Sequence, residues 1–530
     1  LAGKEKQYMN PMNVGDFLTL NSARYPDKIA LVCKDKRLTY QELNCRVNAL
    51  AHGFLDLGIG KGDKVGYLFP NSIEIVELFF AIAKIGAIAV PLNHRLVARE
   101  IKCLLDSVEC DVFVYSRLYD GPVNVVKGSF RTVKHMIRLG EPAPGEYSFA
   151  KLLEHDNTSE PDSTVDSRDV FRIQFTGGTT GRSKGVMRTH EADIFQTIGV
   201  MTSNKMGASP DEVVLTQSPL HHQGGITWML CVIATGAQFV ICNGFDPVEI
   251  LRQIQKERVT YMLLLPPSTY LRLIDAPAFR DYDVSSVKVV HTSAGGTSPA
   301  IIQKMIEAFP NCEVYYGWGQ TETGAGTVHR ITREMALHHP EKTQSVGRPM
   351  PFFQLRIVDE AGKDVPQGEV GEGIAKGPAI FSGYYKQPEL TDETITDGWT
   401  RTGDMMRQDE EGLYYMVDRK KDMIKTGGEN VFAQEVEAVV RKHPAVLDCS
   451  VIGVPDQTFG EAVMAVIKLR AGYTATAEDI QEHCKRDLSS YKKPRYVEFL
   501  DEFPVDSAGK IQKFRLRKKY REIYGHLIEP

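Results

Sequence analysis

Several features that would decide the matter quickly are missing from this sequence. Its nine cysteines include no Cys-x-x-Cys pair and form an odd total. A disulfide framework or a zinc site is therefore not expected, and free thiols in a reducing compartment are. No apolar stretch is long enough to cross a bilayer. The most apolar run, Leu78 to Leu92, is broken by Lys84 and stopped at Pro91. The opening Leu1-Ala2-Gly3-Lys4-Glu5-Lys6 has no apolar signal core, so the expected location is the cytoplasm. A large charge excess is missing too. Lys and Arg number 63 against 68 Asp and Glu, a net charge of −5. That argues against nucleic acid as the main partner and leaves room for a local basic site that holds an anion. No internal repeat or low-complexity tract stands out.

What is present is the composition of a globular protein, 42% apolar and 25% charged, in a chain of 530 residues. That is too long for one ordinary core, so at least two domains are expected. Thr39 followed by Glu42 reads as a capping box that starts a helix running to about Leu57. Strand Val65 to Phe69, helix Ser72 to Ile85 and strand Ala87 to Val90 then follow at the spacing of a parallel α/β sheet. The alternation recurs through strands at 112–115, 170–175, 212–217, 238–242, 261–265, 287–291 and 313–316, with helices between several of them. From about residue 345 the texture turns to hairpins. The tail carries helix 433–442, strands 449–454 and 462–469, helix 477–488 and a basic helix near 513–523. The expected fold class is α/β. It has a large N-terminal domain, 1–417, with parallel α/β sheets and a β-rich subdomain. A charged hinge at 418–421 and a small mobile α+β domain, 422–530, complete it.

The densest chemical signal lies after the strand Val170 to Phe175. From Thr176 to Gly185 come four glycines, three threonines, a serine and two cations. Glycine lets backbone N–H groups turn toward one centre. Such groups, with hydroxyls and Lys184, make a cradle for phosphate oxygens; a flexible surface turn is the plainer alternative. It is not a Walker loop, because Lys184 is followed by Gly185.

Three further clusters stand beside it. Tyr316-Gly317-Trp318-Gly319-Gln320-Thr321-Glu322-Thr323 brings an aromatic plane, a hydroxyl and a carboxylate into one turn. A carboxylate beside phosphates suits Mg²⁺, and an aromatic plane can stack on a base; a core tryptophan with Thr321 capping a helix is the plainer alternative. Trp399 to Asp404 offers a carboxylate for a ribose diol, or an ordinary hairpin Asp. Asp506-Ser507-Ala508-Gly509-Lys510-Ile511 offers a lysine on a glycine-bearing loop, or a solvated one.

Together and in this order, the motifs resemble the acyl-adenylate-forming superfamily of acyl-CoA synthetases, aryl-CoA ligases, luciferases and peptide-synthetase adenylation domains. The resemblance covers Leu38 to Lys510. The loop matches the pattern Thr-Ser-Gly-Thr-Thr-Gly-x-Pro-Lys-Gly, with Gly177 in place of Ser and Ser183 in place of Pro. It implies that Thr176, Thr179, Thr180, Gly181 and Lys184 hold the β- and γ-phosphates of ATP. Gly295, Gly296 and Thr297 line the adenine, and Trp318 stacks on it where the family usually has Tyr. Thr321 meets the α-phosphate, Glu322 (with Thr176) the magnesium, and Asp404 and Arg419 the ribose. Lys421 matches the hinge position and Lys510 the adenylation lysine. Gly427 and Gly428 match the passage for the pantetheine arm of coenzyme A.

The implied activity is an AMP-forming acyl-CoA ligase that uses ATP, Mg²⁺ and coenzyme A. The alternative is an adenylate-former that loads a carrier protein or oxidises the adenylate. Pro219-Leu220-His221-His222-Gln223-Gly224-Gly225 matches the acyl-pocket segment, with His222 at the family histidine. Gly295, Gly324 and Gly326 suggest room for a chain or ring, so a medium-chain, alicyclic or aromatic acid is expected. The oligomeric state stays open, a homodimer being common among relatives.

Overall fold

A computed structural model describes residues 12–176, 184–203, 209–426, 429–505 and 510–524. By its contacts the chain divides into two units, Leu1–Leu355 with Ala375–Thr400 and Arg356–Ile374 with Arg401–Pro530. The division falls at 400/401, earlier than the 417/418 boundary expected from sequence. Residues 356–374 join the second unit because Arg401 pairs with Glu372 at 2.7 Å and the Thr402 hydroxyl donates to the Gly373 carbonyl at 2.6 Å.

The first unit holds two large sheets. The nine-stranded sheet runs, in spatial order, Arg348–Pro349, Gly324–Ile331, Glu313–Gln320, Val289–Thr292, Tyr261–Leu263, Val213–Thr216, Gln238–Ile241, Ile29–Cys33 and Lys36–Thr39. Its six strands from Glu313–Gln320 through Ile29–Cys33 are parallel. The eight-stranded sheet runs Gly383–Tyr384, Lys184–Thr189, Val170–Thr176, Ile88–Pro91, Lys64–Leu68, Val112–Ser116, His135–Leu139 and Tyr147–Ser148. It is parallel from Val170–Thr176 onward. The expected α/β alternation is thus present, and its strands read as continuous apolar runs because helices cover both faces of a parallel sheet.

Local signals explain the helices. Thr39 and Glu42 form both halves of the capping box at the start of Tyr40–Asp56. Ile73–Lys84 is buried on nearly every side, as a helix this rich in apolar residues must be. Its one ammonium, Lys84, is held by Asn44 at 2.6 Å, Asn48 at 2.8 Å and Glu160 at 2.7 Å.

The second unit contains the antiparallel pair of 401–408 with Tyr414–Arg419. It also has a five-stranded sheet: Glu429–Val431, Ile424–Thr426, Gly460–Leu469, Val446–Asp456 and, beside Gly460–Leu469, Tyr496–Phe499. Helices Ala433–Val440, Ala477–Cys484 and Lys513–Tyr524 accompany it. Val436, Val440, Cys449, Val451, Ala465 and Ile467 form its core. Among the described residues no helix is long and apolar enough to cross a membrane.

The first unit buries several neutral imidazoles. Desolvation pushes His190 down to about 4 and His291 to about 3, and holds His221 well below the usual range. Each folded pKa lies below the unfolded one, so the unfolded chain binds more protons and stability falls as pH drops below about 6.5. One such histidine is worth about 1.4 kcal/mol per pH unit across that window. In urea unfolding between pH 6.5 and 4.5, His190→Gln should show an acid slope shallower by about that amount. An unchanged slope would contradict the neutral burial of His190.

Candidate active site

The strand Val170–Thr176 enters the glycine-rich segment and Lys184–Thr189 leaves it. The two are antiparallel neighbours, with Thr176 paired to Lys184. The ends of the segment are therefore fixed side by side. Residues 177–183, with Thr179, Thr180 and Gly181, lie outside the described residues. Strand period two puts Lys184, Val186 and Arg188 on one face of the exit strand.

Glu322 stands in the three-residue turn between Glu313–Gln320 and Gly324–Ile331. No helix begins at Thr321; the chain doubles back as an antiparallel strand. Tyr384 meets this turn from far along the sequence. Gly383–Tyr384 pairs with the exit strand, Tyr384 opposite Val186. Its hydroxyl donates to Glu322 Oε1 at 3.0 Å, and the Phe381 amide donates to the Glu322 carbonyl at 2.8 Å. The Lys184 ammonium lies 4.9 Å from the centre of the Tyr384 ring. Tyr384 thus presents its ring face to the Lys184 cation and its hydroxyl to the Glu322 carboxylate. Burial and the Glu322 charge push the Tyr384 phenol well above its usual range, so it stays a donor.

Trp318 is buried on the strand Glu313–Gln320, its ring 6.4 Å from Phe353. Gly295, Gly296 and Thr297 follow the strand Val289–Thr292. The Tyr316 hydroxyl donates to the Gly295 carbonyl at 2.9 Å. Thr297 Oγ1 is buried with no hydrogen-bond partner among the described residues, an uncommon state for a buried hydroxyl.

The room expected at Gly295, Gly324 and Gly326 is absent. A Cβ at Gly324 would lie 2.3 Å from Gln196 Oε1, one at Gly326 2.8 Å from both Trp318 and Phe353, and one at Gly295 3.1 Å from Pro266. Gly324 also has φ +68°, a backbone region that side chains disfavour. These three glycines serve close packing, whereas Gly296 faces open space.

His222 precedes the helix Gln223–Thr235 as its N-cap. Its ring centre is 4.5 Å from that of His221, which lies 5.1 Å from His94. Gly225 is required here, because a Cβ would fall 2.2 Å from the Pro219 carbonyl oxygen.

Asp404, Arg419, Lys421 and Lys510 belong to the second unit. Asp404 and Arg419 face each other across the antiparallel pair. Arg419 Nε lies 2.9 Å from Asp404 Oδ1, and Asp404 is fully buried. Burial, then the Arg419 charge, lowers the Lys421 ammonium below its usual range. Burial raises its neighbour Asp418 to about 6. Lys510 is exposed next to Ile511, which bridges to Val505. Gly427 and Gly428 lie outside the described residues. Among the described residues no group of His, Cys, Asp or Glu forms a metal cage. A lone carboxylate such as Glu322 fits Mg²⁺ that arrives on phosphates and keeps its waters.

Sequence reasoning missed Tyr384, Arg172, Arg188 and Asp193. The available signal was two arginines, Arg172 and Arg188, inside strands otherwise patterned for burial. Nothing local marks Tyr384, which sits in a two-residue strand.

The AMP-binding enzyme family matches residues 18–385, and the AMP-binding enzyme C-terminal domain matches residues 435–510. The chain is 31% identical to a feruloyl-CoA synthase from Amycolatopsis sp., over 97% of this chain and 100% of that one. It is 33% identical to the medium/long-chain-fatty-acid–CoA ligase FadD8 of Mycobacterium tuberculosis, over 98% of this chain and 92% of that one. The solved structure of the anthranilate CoA ligase AuaEII, in complex with anthranoyl-AMP, superposes with a TM-score of 0.89 at 26% identity, covering 99% of this chain and 100% of that one.

Tyr384→Phe removes one hydrogen bond to a charged acceptor, a loss of about 1.5–3 kcal/mol. Calorimetric titration with ATP and magnesium should show affinity weakened about tenfold or more. Unchanged affinity would mean that the Tyr384–Glu322 contact does not shape the nucleotide site.

Proposed function

The chain belongs to the AMP-binding enzyme family and is an AMP-forming acid–thiol ligase; from that premise we propose that it joins a medium-chain, alicyclic or aromatic carboxylic acid to coenzyme A through an acyl-adenylate. The observation that carries the reading is the Tyr384 side chain joining Lys184, at the exit of the glycine-rich segment, to the Glu322 carboxylate. The named substrates of the relatives, feruloyl and medium- or long-chain fatty acyl groups, support the acid class. Nine free thiols suit a cytoplasmic setting.

The first half-reaction is attack of the substrate carboxylate on the α-phosphorus of ATP, with pyrophosphate leaving. Its transition state spreads negative charge over phosphate oxygens, so preorganised cations and donors supply most of the stabilisation. Thr176, Thr179, Thr180, Gly181 and Lys184 hold the β- and γ-phosphates. Thr321 meets the α-phosphate, and Gly295, Gly296, Thr297 and Trp318 enclose the adenine. Asp404 takes the ribose hydroxyls, and Arg419 fixes the Asp404 carboxylate beside them. Glu322 and Thr176 hold Mg²⁺, which neutralises phosphate charge when bound. Lys510 bridges the carboxylate and the α-phosphate.

In the second half-reaction the tail domain, 422–530, turns about the hinge 418–421. Lys510 withdraws and Gly427 and Gly428 admit the pantetheine arm. The thiol then attacks the acyl carbonyl, AMP leaves, and His222 borders the acyl group.

Two measurements test this. Pyrophosphate release should require both ATP and one of a panel of carboxylic acids, and Lys510→Ala should lower its rate about 10²-fold or more. No release with any acid would overturn the reading. Free-thiol consumption should follow when coenzyme A is added; adenylate that persists beside coenzyme A would instead indicate a carrier-protein acceptor.

A further inference from the structure

The mechanism above leaves unused the most heavily buried charges of the first unit. Arg172, Arg188 and Asp193 are all 0% exposed. Arg172 Nε and Nη2 grip the two oxygens of Asp193 at 2.7 and 2.9 Å, and Arg188 Nε adds a third contact at 2.8 Å. Burial acts to raise the Asp193 carboxyl, but the two guanidinium groups outweigh it and hold it down at about 2. Two cations on one anion leave an excess positive charge sealed from water. That is costly unless further acceptors close around it.

The acceptors that do so are telling. Arg188 Nη1 donates to the Thr321 carbonyl at 3.2 Å, the peptide link into Glu322. Arg188 Nη2 reaches Gln196 Oε1 at 3.3 Å, and that same oxygen accepts the Ala325 amide at 3.2 Å. The side chains of Arg188 and Gln196 thus hold the turn 321–325 on both sides of Glu322. Arg172 Nη2 donates to Gln223 Oε1 at 2.8 Å, and Gln223 Nε2 donates back to Gln196 Oε1 at 2.7 Å. Arg188 itself sits on the exit strand, on the face that carries Lys184. The Glu322 charge also bears on the Arg188 guanidinium.

We propose that Arg188, locked by Asp193 and assisted by Gln196, is a positioning residue that sets the Glu322 carboxylate in register with Lys184 and so tunes the site for magnesium-bound nucleotide. The inference rests on the nucleotide roles proposed above for Lys184 and Glu322. An arginine is needed because only its fork can serve the carboxylate with Nε and a carbonyl with Nη1 at once. A lysine keeps the charge for Asp193 but loses the second arm.

The test compares wild type, Arg188→Lys and Gln196→Met by calorimetric titration with AMP-PNP, with magnesium and with EDTA, alongside urea unfolding. Gln196→Met covers the case in which Arg188→Lys does not fold. The expected result is a Kd for magnesium–AMP-PNP raised about tenfold in Arg188→Lys, the size of one lost charged hydrogen bond. Gln196→Met should weaken binding less, and the EDTA values should change less than twofold in both. The magnesium concentration for half-maximal binding should rise in parallel. Variants that lose urea stability yet keep their magnesium dependence within twofold of wild type would reduce the network to a structural role and overturn the proposal. Wild type that binds AMP-PNP but releases pyrophosphate with no acid would sink the ligase reading and leave this inference standing. Wild type that fails to bind AMP-PNP would sink both.

Discussion

Two guanidinium groups sharing one carboxylate, with no water to help, impose the constraint on which the first unit turns. An ion cluster of unequal charge inside a protein survives only if every remaining donor finds an acceptor. Arg172 and Arg188 lie on the two strands that flank the glycine-rich segment, and Asp193 on the helix that follows. Their outer donors end on Gln174, Gln196, Gln223 and the Thr321 carbonyl. Satisfying the cluster therefore ties the eight-stranded sheet to the Glu322 turn of the nine-stranded one. Removing Asp193 would leave two buried cations unpaired, a cost of about 3–5 kcal/mol.

That tie accounts for the geometry at the surface of the site. The turn before Gly324–Ile331 has no freedom of its own, since Gln196 fills the space a side chain at Gly324 would need. Tyr384 then joins Lys184 to Glu322. Glu322 is held by packed neighbours, which is how preorganised electrostatics avoids reorganisation during reaction.

Much of this was legible in the sequence. The capping box at Thr39 and the strand that leads into the glycine-rich segment are local patterns, decided within a few residues; the strand Lys184–Thr189 that leaves the segment was not read. Asp404 and Glu322 were singled out as candidates because their motifs are compact. Tyr384 was not, because it reaches Glu322 only through a strand pairing between residues some 200 positions apart. The ion cluster was missed for the same reason, although arginines in buried strands are a visible anomaly. The glycines at 295, 324 and 326 were read as free volume because a sequence shows the absent side chain and not the neighbour that occupies its place.

The central claim is that a carboxylate oxygen of the substrate becomes bonded to the α-phosphorus. A single turnover with an acid labelled with ¹⁸O in its carboxylate, analysed by mass spectrometry of the released AMP, tests this without reference to any side chain. The account predicts one labelled oxygen in the phosphate of AMP, since the bridging oxygen of the adenylate leaves with it. Unlabelled AMP, or label found in orthophosphate beside ADP, would contradict it.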